Sequence, residues 1–245
     1  MNHICIEPDW PAPSGIRAYS TLRVGGVSHG AYDSLNLAAH VGDNPGHVAS
    51  NRLKLRNHLQ LPAEPYWLNQ VHGNRAVKAC AKPPQSHPPE ADASFSDKPG
   101  VVCAVMTADC LPVLFCNRKG KRVAASHAGW RGLVGGVLES TVHAIGNDGL
   151  MAWLGPAIGP KAFEVGKEVH HSFLDRLGDC HEAFLQIDEH HWLADLYSLA
   201  RMTLARVGVS EVYGGNECTF SNPERYFSYR RDSQTGRMAT LIWRE

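Results

Sequence analysis

Three apolar runs in the middle of the chain restrict its fold more than any other sequence feature. Residues 101–107, 111–117 and 122–126 are each long enough for a buried strand and far too short to cross a membrane as a helix. The second and third runs are separated by Asn117-Arg-Lys-Gly120, a composition typical of a tight turn. The sequence therefore predicts a central β-hairpin that is preceded by another strand.

The rest of the chain mixes strands and helices without a regular alternation. Similar runs predict further strands at residues 67–71, 209–213 and 238–243. Apolar residues at helical spacing predict a helix over residues 132–145, which Gly146 ends. More helices are predicted after the start signal Asn44-Pro45, at residues 167–177 and at residues 192–207. This mixture predicts an α+β fold.

The length of the chain favours one large domain. With 245 residues, of which 43% are hydrophobic, the chain can bury a large core. Residues 81–90 hold four prolines and are the strongest candidate for a linker. Because connections of this length are common inside domains, we interpret them as a surface loop and predict a single domain over residues 1–245.

The composition excludes several classes of protein. The 24 Lys and Arg residues balance 24 Asp and Glu residues, so neither a nucleic-acid partner nor a disordered chain is expected. No apolar run approaches the ~18 residues of a membrane span, and the first ten residues lack the pattern of a signal peptide. The seven cysteines are scattered and contain no Cys-x-x-Cys pair. We expect a cytoplasmic protein that has no disulfide framework and does not insert into membranes.

The predicted hairpin brings two reactive side chains together. If the turn is centred between Arg118 and Lys119, Cys110 lies directly opposite His127, with Cβ atoms about 5 Å apart. At that distance the thiolate and the imidazole can share a metal ion, or His127 can activate Cys110 as a nucleophile. A third alternative is a buried inert cysteine beside a structural histidine. A bulge or a longer loop would shift this register.

Two more residues are candidates for the same site. Asp109 lies in the polar stretch Thr107-Ala-Asp-Cys110 between two buried strands, where polar groups are costly unless they are paired or coordinated. A catalytic zinc site needs a third protein ligand. His72 ends a predicted strand and is the best-placed candidate, although spacing alone does not select it. The other histidines, His40 among them, have no partner that spacing supplies, and the adjacent pairs are interpreted as solvated.

Six motifs in order along the chain carry a family resemblance. They are Asn69-Gln-Val-His-Gly73, Ala91-Asp-Ala93, Thr107-Ala-Asp-Cys110, Ser126-His-Ala-Gly-Trp-Arg-Gly132, Gly155-Pro-Ala-Ile-Gly-Pro160 and Ser228-Tyr-Arg-Arg-Asp-Ser-Gln-Thr-Gly-Arg-Met238. Together they resemble the YfiH family, also called the laccase-domain or polyphenol oxidase family. The likeness extends from Arg23 to Trp243, which is nearly the whole chain.

The resemblance implies a fold, a metal site and an activity. The fold would be a sandwich of mixed β-sheets flanked by helices, in α/β/β/α layers. His72, Cys110 and His127 would bind zinc and leave a fourth position open, with copper as an alternative occupant. The activity would be phosphorolysis of the purine nucleosides adenosine, inosine, guanosine and methylthioadenosine, together with adenosine deamination. An older assignment for the family is copper-dependent oxidation of phenols.

The resemblance also implies roles for individual residues. Cys110, Asp109 and His127 would be catalytic, with Asp109 as a proton shuttle or a partner of a histidine. Arginine suits phosphate because its planar fork binds oxygens in pairs. The candidate substrate-binding residues are Arg23, Asn36, Gln70, Arg131, Arg230 and Arg231. The partners would be purine nucleosides and phosphate, for a monomer or a homodimer.

Sequence signatures that are missing from this chain distinguish among the alternative functions. A multicopper oxidase needs a trinuclear cluster built from paired histidines, and this chain contains no His-x-His. The His-x-Glu and Pro-Cys-x-x-Cys signature of nucleobase deaminases is also missing, so deamination would need a different arrangement. A Cys/His hydrolase with Cys110 as nucleophile and a purely structural metal site remain open.

Overall fold

The computed structural model describes residues 4–81 and 87–245. The strands are β1 (Cys5–Ile6), β2 (Ile16–Thr21), β3 (Ala76–Lys78), β4 (Ala93–Ser96), β5 (Cys103–Thr107), β6 (Leu111–Asn117), β7 (Val123–Ala128), β8 (Leu150–Leu154), β9 (Glu164–Gly166), β10 (Phe184–Gln186), β11 (His191–Ala194), β12 (Glu211–Gly214) and β13 (Met238–Arg244). The helices are α1 (Pro45–Leu59), α2 (Trp130–Val134), α3 (Val137–Ile145), α4 (Lys167–Leu177), α5 (Leu196–Arg206) and α6 (Tyr229–Asp232). Half of the proline-rich loop predicted at 81–90, residues 82–86, lies outside the described residues.

The strands form three sheets. The largest has the order β12-β8-β6-β7-β4-β3, the second has the order β1-β2-β13-β5, and a small sheet has the order β10-β11-β9. Two pairs, β8 with β12 and β3 with β4, are parallel, and the other pairs are antiparallel. The sheets are therefore mixed, as predicted.

The two large sheets pack against each other, and helices cover their outer faces. Side chains of β5 and β13 meet those of β6 and β7 in one apolar cluster that includes Val105, Leu114 and Ala125. Leu55 of α1 packs on the outer face of the four-stranded sheet. Val137 of α3 packs on the outer face of the six-stranded sheet, together with residues of α4 and α5. The α+β class and the α/β/β/α layers are confirmed.

Several of the predicted elements are confirmed. Helix α1 begins at Pro45 after an N-cap in which the Asn44 side chain accepts a hydrogen bond from the Gly46 amide. Helix α4 and strand β6 have the predicted bounds. Among the described residues, none of the helices is both long and apolar enough to cross a membrane.

Three predicted elements are wrong. The helix over 132–145 is two helices, because Gly136 adopts a left-handed conformation with φ 89° that ends the first one. The helix over 192–207 is strand β11 followed by α5, which begins after the Asp195 N-cap. The strand over 67–71 forms only isolated bridges nearby, since the amides that follow bind a side chain instead of a neighbouring strand.

The predicted hairpin exists, but its register is wrong by two residues. His127 is opposite Pro112 rather than Cys110. The loop is longer than assumed because the Asn117 side chain accepts hydrogen bonds from the amides of Lys121 and Arg122. A shift of two residues leaves every side chain on its original face of the sheet. Cys110 and His127 therefore still point to the same side.

Candidate metal and catalytic centre

The structure brings together all three predicted metal ligands. The donor atoms of His72, Cys110 and His127 lie within 4.8 Å of one another. Cys110 Sγ is 3.9 Å from His72 Nε2, and the two imidazole rings have centroids 4.8 Å apart. Within residues 4–81 and 87–245, no other group of three or more histidines, cysteines or acidic residues could hold a metal ion.

Each ligand is delivered by a different part of the fold. His127 is buried on strand β7. Cys110 directly precedes β6, after Asp109 has turned the chain with a left-handed φ of 91°. His72 lies in the loop before β3 and has a left-handed φ of 59°. Left-handed backbone is uncommon for residues other than glycine and is concentrated at functional sites.

Asp92 joins two of these ligands. Its buried carboxylate accepts a 2.7 Å hydrogen bond from His127 Nδ1, and it also accepts hydrogen bonds from the backbone amides of Val71, His72 and Gly73. The Nε2 lone pair of His127 is thereby left for a metal, the arrangement found around most histidine ligands. Our assignment of residues from the sequence missed Asp92, although the motif Ala91-Asp-Ala93 contains it.

Gly129 allows the centre to close. A Cβ at this position would lie 2.9 Å from Cys110 Sγ and 3.2 Å from His72 Cδ2. Gly129 follows strand β7 and begins helix α2. The close approach explains why this position of the motif needs a glycine.

The ionisable groups at the centre act on one another. Burial alone would raise the pKa of the Cys110 thiol, but His127 and His72 outweigh burial and lower it to about 6. Burial alone would lower the pKa of His127, but Cys110 and Asp92 raise it to about 9. Burial also opposes ionisation of Asp92, yet its hydrogen bonds from His127 and from backbone amides lower its pKa. The thiolate form that binds metals is therefore the stable form at neutral pH.

Asp109 is fully occupied by other contacts. One oxygen accepts a 2.6 Å hydrogen bond from Thr219 Oγ1, and the other accepts from Ser228 Oγ and from the Arg230 amide. The histidine partner at this centre is Asp92, so the interpretation of Asp109 as that partner is wrong. Asp109 instead ties the segment before Cys110 to the C-terminal part of the chain.

The three candidate ligands His72, Cys110 and His127, termed the metal-type group, open into a cavity of about 400 Å³. Its lining residues are His40, Gln70, His72, Met106, Thr107, Ala108, Cys110, His127, Tyr229 and Arg237. His40, which sequence spacing left without a partner, therefore belongs to the cavity wall. Arg237 was also missed, although it lies in the motif that begins at Ser228. This volume is in the range of small-molecule sites.

Two predicted substrate-binding residues support the cavity. Gln70 lines it, and its amide both donates to the Met106 carbonyl and accepts from the Met106 amide. Asn36 is buried behind the wall, where its side-chain oxygen accepts hydrogen bonds from the amides of Ala38 and Arg237. Asn36 therefore holds the backbone of a cavity residue without lining the cavity itself.

The four predicted phosphate-binding arginines lie elsewhere. Arg23 donates to two backbone carbonyls and stacks on the Phe227 ring. Arg231 donates to three backbone carbonyls and pairs with Asp232. Both guanidinium groups hold loops together and are outside the cavity lining.

The remaining two are exposed. Arg230 donates to the Glu164 carbonyl and lies over the Phe163 ring. Arg131 lies over the Trp130 ring, 4.3 Å from its centroid. Neither side chain lines the cavity, so the structure brings none of the four arginines to the metal-type group.

The chain matches a known protein family along nearly its whole length. A family model described as multi-copper polyphenol oxidoreductase laccase matches residues 17–245. The chain belongs to this family. Purine nucleoside phosphorylase YfiH of Escherichia coli is 55% identical over 240 residues, covering 97% of this chain and 98% of that protein. A Pseudomonas aeruginosa protein also named purine nucleoside phosphorylase is 52% identical and covers 97% of both chains.

A solved structure of a family member has the same fold. The Neisseria meningitidis protein NMB0706 superposes with a TM-score of 0.94 and 50% sequence identity, covering 99% of each chain. The resemblance to the YfiH family is therefore confirmed. The family's multi-copper description fits this chain less well, because the described residues provide one candidate metal group rather than several.

Proposed function

We propose that this chain is a metal-dependent purine nucleoside phosphorylase. The observation that carries the proposal is the group His72, Cys110 and His127 opening into a cavity, in a chain that matches proteins named purine nucleoside phosphorylase over nearly its full length. The substrates would be purine nucleosides and phosphate. The proposal places both in this cavity, whose volume of about 400 Å³ is in the range of small-molecule sites.

We propose zinc as the metal. One thiolate and two imidazoles are a donor set typical of catalytic zinc, with a fourth position left for substrate or water. Asp92 supports this choice because it fixes the tautomer of His127, as carboxylates do around zinc-bound histidines. Copper prefers the same donor atoms and is the alternative occupant. When bound, zinc supplies a Lewis acid that polarises an oxygen atom of the substrates.

The rest of the cavity would position the nucleoside. Met106, Ala108 and Tyr229 give the wall an apolar part, and Tyr229 is 58% exposed there although it is a large aromatic residue. An exposed aromatic ring beside a cavity is suited to stack on a flat heterocycle such as a purine. We assign Asp109 a positioning role, because its carboxylate is held by three donors and Cys110 follows it in the chain.

We extend the proposal to four substrates and a second reaction. Adenosine, inosine, guanosine and methylthioadenosine share the purine and the ribosyl group, which the apolar wall would accept in each case. Adenosine deamination would use the same cavity and rests on the family resemblance. Both reactions are distinguished by their products, since deamination releases ammonia and phosphorolysis releases a free base.

The test is an assay of purified protein whose metal content has been counted. Inosine and adenosine are incubated with and without phosphate, and the free base and ribose 1-phosphate are measured. We expect phosphate-dependent release that is lost in Cys110→Ala and kept in Cys218→Ala, which changes a cysteine outside the cavity. An absence of release from protein with zinc fully bound would reject the proposal.

One observation favours a second candidate, a Cys/His hydrolase. Asp92, His127 and Cys110 are arranged as an orienting carboxylate, a base and a nucleophile, and the pKa of Cys110 is lowered to about 6. Iodoacetamide labelling separates the two functions. A phosphorylase with zinc bound should protect Cys110 until the metal is removed, whereas a hydrolase should be labelled and inactivated with the metal in place.

Cys103 and Cys116 serve as internal controls for that labelling. Burial raises the pKa of each of these thiols to about 12, so neither should react at neutral pH whether or not metal is bound. Labelling of all three cysteines together would indicate unfolding rather than a reactive Cys110.

A further inference from the structure

Arg237 lines the cavity, and part of its guanidinium group has no hydrogen-bond acceptor among the described residues. The two N–H groups of Nη1 donate to the carbonyls of Thr235 and Gly236, at 2.8 and 2.9 Å. Among the described residues, neither Nε nor Nη2 has a hydrogen-bond acceptor, and no carboxylate lies within salt-bridge distance. Nε and Nη2 form the edge with which a guanidinium binds two oxygens of one anion.

Positive side chains gather at this end of the cavity, and among the described residues no carboxylate forms an ion pair with them. Arg237 and His40 both line the cavity. Burial lowers the pKa of His40, and the nearby charges of Arg237 and Arg52 lower it further. Arg52 donates to the Leu37 carbonyl and stacks on Trp67, and no carboxylate of the described residues lies within salt-bridge distance of it. A partly buried cation without a counter-ion is costly, so the site favours an anionic ligand.

The guanidinium is held in a fixed position. The Arg237 amide donates to the buried side chain of Asn36, and the two carbonyl contacts fix Nη1. Gly236 makes this packing possible, because a Cβ there would lie 2.7 Å from the Phe227 ring and 2.9 Å from Asn36 Cβ. A donor that is rigid before binding loses little entropy when it binds its ligand.

We propose that the Nε–Nη2 edge of Arg237, together with the His40 ring, is the binding site for inorganic phosphate in this cavity. The inference deepens the proposed function and rests on it, because it assigns the second substrate to a named part of the same cavity. Arg237 shares this cavity with Cys110 and with Tyr229, whose ring centroid is 5.8 Å from its guanidinium carbon. Phosphate bound there lies in one cavity with the metal-type group and the aromatic wall.

The test measures phosphate binding directly, apart from turnover. Inorganic phosphate is titrated calorimetrically into zinc-loaded wild-type protein, Arg237→Gln, Arg237→Lys and the control Arg56→Gln. Arg56 is exposed on α1 and outside the cavity. We expect phosphate affinity to fall at least ~10-fold in Arg237→Gln and less in Arg237→Lys, which keeps the charge but loses the planar fork, with no change in the control.

Steady-state kinetics give the second readout. In Arg237→Gln the KM for phosphate should rise by a similar factor, while the KM for inosine changes less than about threefold. Unchanged phosphate affinity and KM in a folded, zinc-loaded Arg237→Gln would overturn the inference and leave the phosphorylase proposal intact. Phosphate binding that depends on Arg237, without turnover of any nucleoside, would support the inference and reject the phosphorylase proposal.

A chemical test avoids dependence on the folding of a variant. Phenylglyoxal, which modifies accessible arginines, is applied to the wild-type protein with and without phosphate, and the modified residues are identified by mass spectrometry. Phosphate should protect Arg237 and leave Arg56 unprotected. Protection of Arg237 by a nucleoside 5′-monophosphate but not by inorganic phosphate would overturn the inference, because the anion would then belong to the other substrate.

Discussion

The carboxylate of Asp92 and the imidazole of His127 form a 2.7 Å hydrogen bond in the buried part of the candidate metal centre. The same carboxylate accepts hydrogen bonds from the backbone amides of His72 and Gly73. One side chain therefore fixes the ring of one ligand and the backbone of another. Its replacement should disturb both ligands without removing either.

Asp92→Asn should weaken metal binding by about 10- to 100-fold, as is typical when a partner of a histidine ligand is changed. The amide keeps the shape of the carboxylate but removes the negative charge that orients His127. Zinc affinity is measured by competition with a chromophoric chelator. Asp97→Asn is the control, since Asp97 is exposed and pairs with Lys78 away from the centre. Equal zinc affinity in the two variants would show that Asp92 does not support the metal.

Gly129→Ala should lower zinc affinity more than it lowers stability. The added Cβ would meet Cys110 Sγ at 2.9 Å, and the backbone of Gly129, with φ −62°, is one that alanine readily adopts. The strain therefore falls on the ligand contacts rather than on the main chain. Gly15→Ala is a suitable comparison because a Cβ there has no neighbour within 4 Å. Zinc titration and thermal unfolding of both variants check this, and unaltered zinc affinity in Gly129→Ala would contradict it.

Asp109→Asn should destabilise the fold by about 1–3 kcal/mol. Three donors from the C-terminal region converge on this carboxylate, and the amide can accept on only one of its two atoms. Asparagine tolerates the left-handed backbone at this position, so the effect reports the hydrogen bonds. Urea unfolding is the measurement. The exposed Asp148→Asn, which loses only a surface pair with Lys119, should change the free energy of unfolding far less.

His170 should make the protein less stable in mild acid. Burial lowers its pKa below the usual 6.5, its ring stacks on Trp192, and its Nδ1 has no hydrogen-bond partner among the described residues. The unfolded chain therefore binds a proton at a pH where the folded chain does not. The stability contributed by neutral His170 is present above about 6.5 and falls as the pH decreases toward its folded pKa.

His170→Phe should flatten this pH dependence, because the replacement cannot be protonated. The comparison is the melting temperature of the two proteins between neutral pH and about pH 5, each referred to its value at neutral pH. His143→Gln provides the control, as His143 is exposed on α3. An equal loss of melting temperature in His170→Phe and the wild type would assign the acid sensitivity to other groups.

Local signals predicted part of the fold because they act within a few residues. Asn44 and Pro45 mark the start of α1 through an N-cap contact two residues along the chain. Residues 132–145 show the limit of such signals, since their apolar spacing continued across Gly135-Gly136 while the backbone did not. Periodicity reports which faces are buried, and it does not report a change of helix axis.

The Cys110–His127 pair was predicted with a wrong register and is nevertheless correct as a pair. The loop is longer by two residues, and a two-residue slip keeps side chains on the same face because strands repeat every two residues. A slip of one residue would have placed the two side chains on opposite faces. The pair was therefore predicted correctly because the error in the register was an even number of residues.

The amino-acid sequence by itself determined the α+β class, the strong helices and strands, the family and the identity of the three candidate ligands. Only the tertiary structure decided that Asp92 supports His127, that His40 and Arg237 line the cavity, and that Asp109 is tied to the C-terminal segment. Asp92 and His127 are 35 residues apart, and Asp109 and Arg230 are 121 residues apart. Contacts across such separations depend on how the sheets and loops pack, and no local pattern of apolar and polar residues encodes that packing.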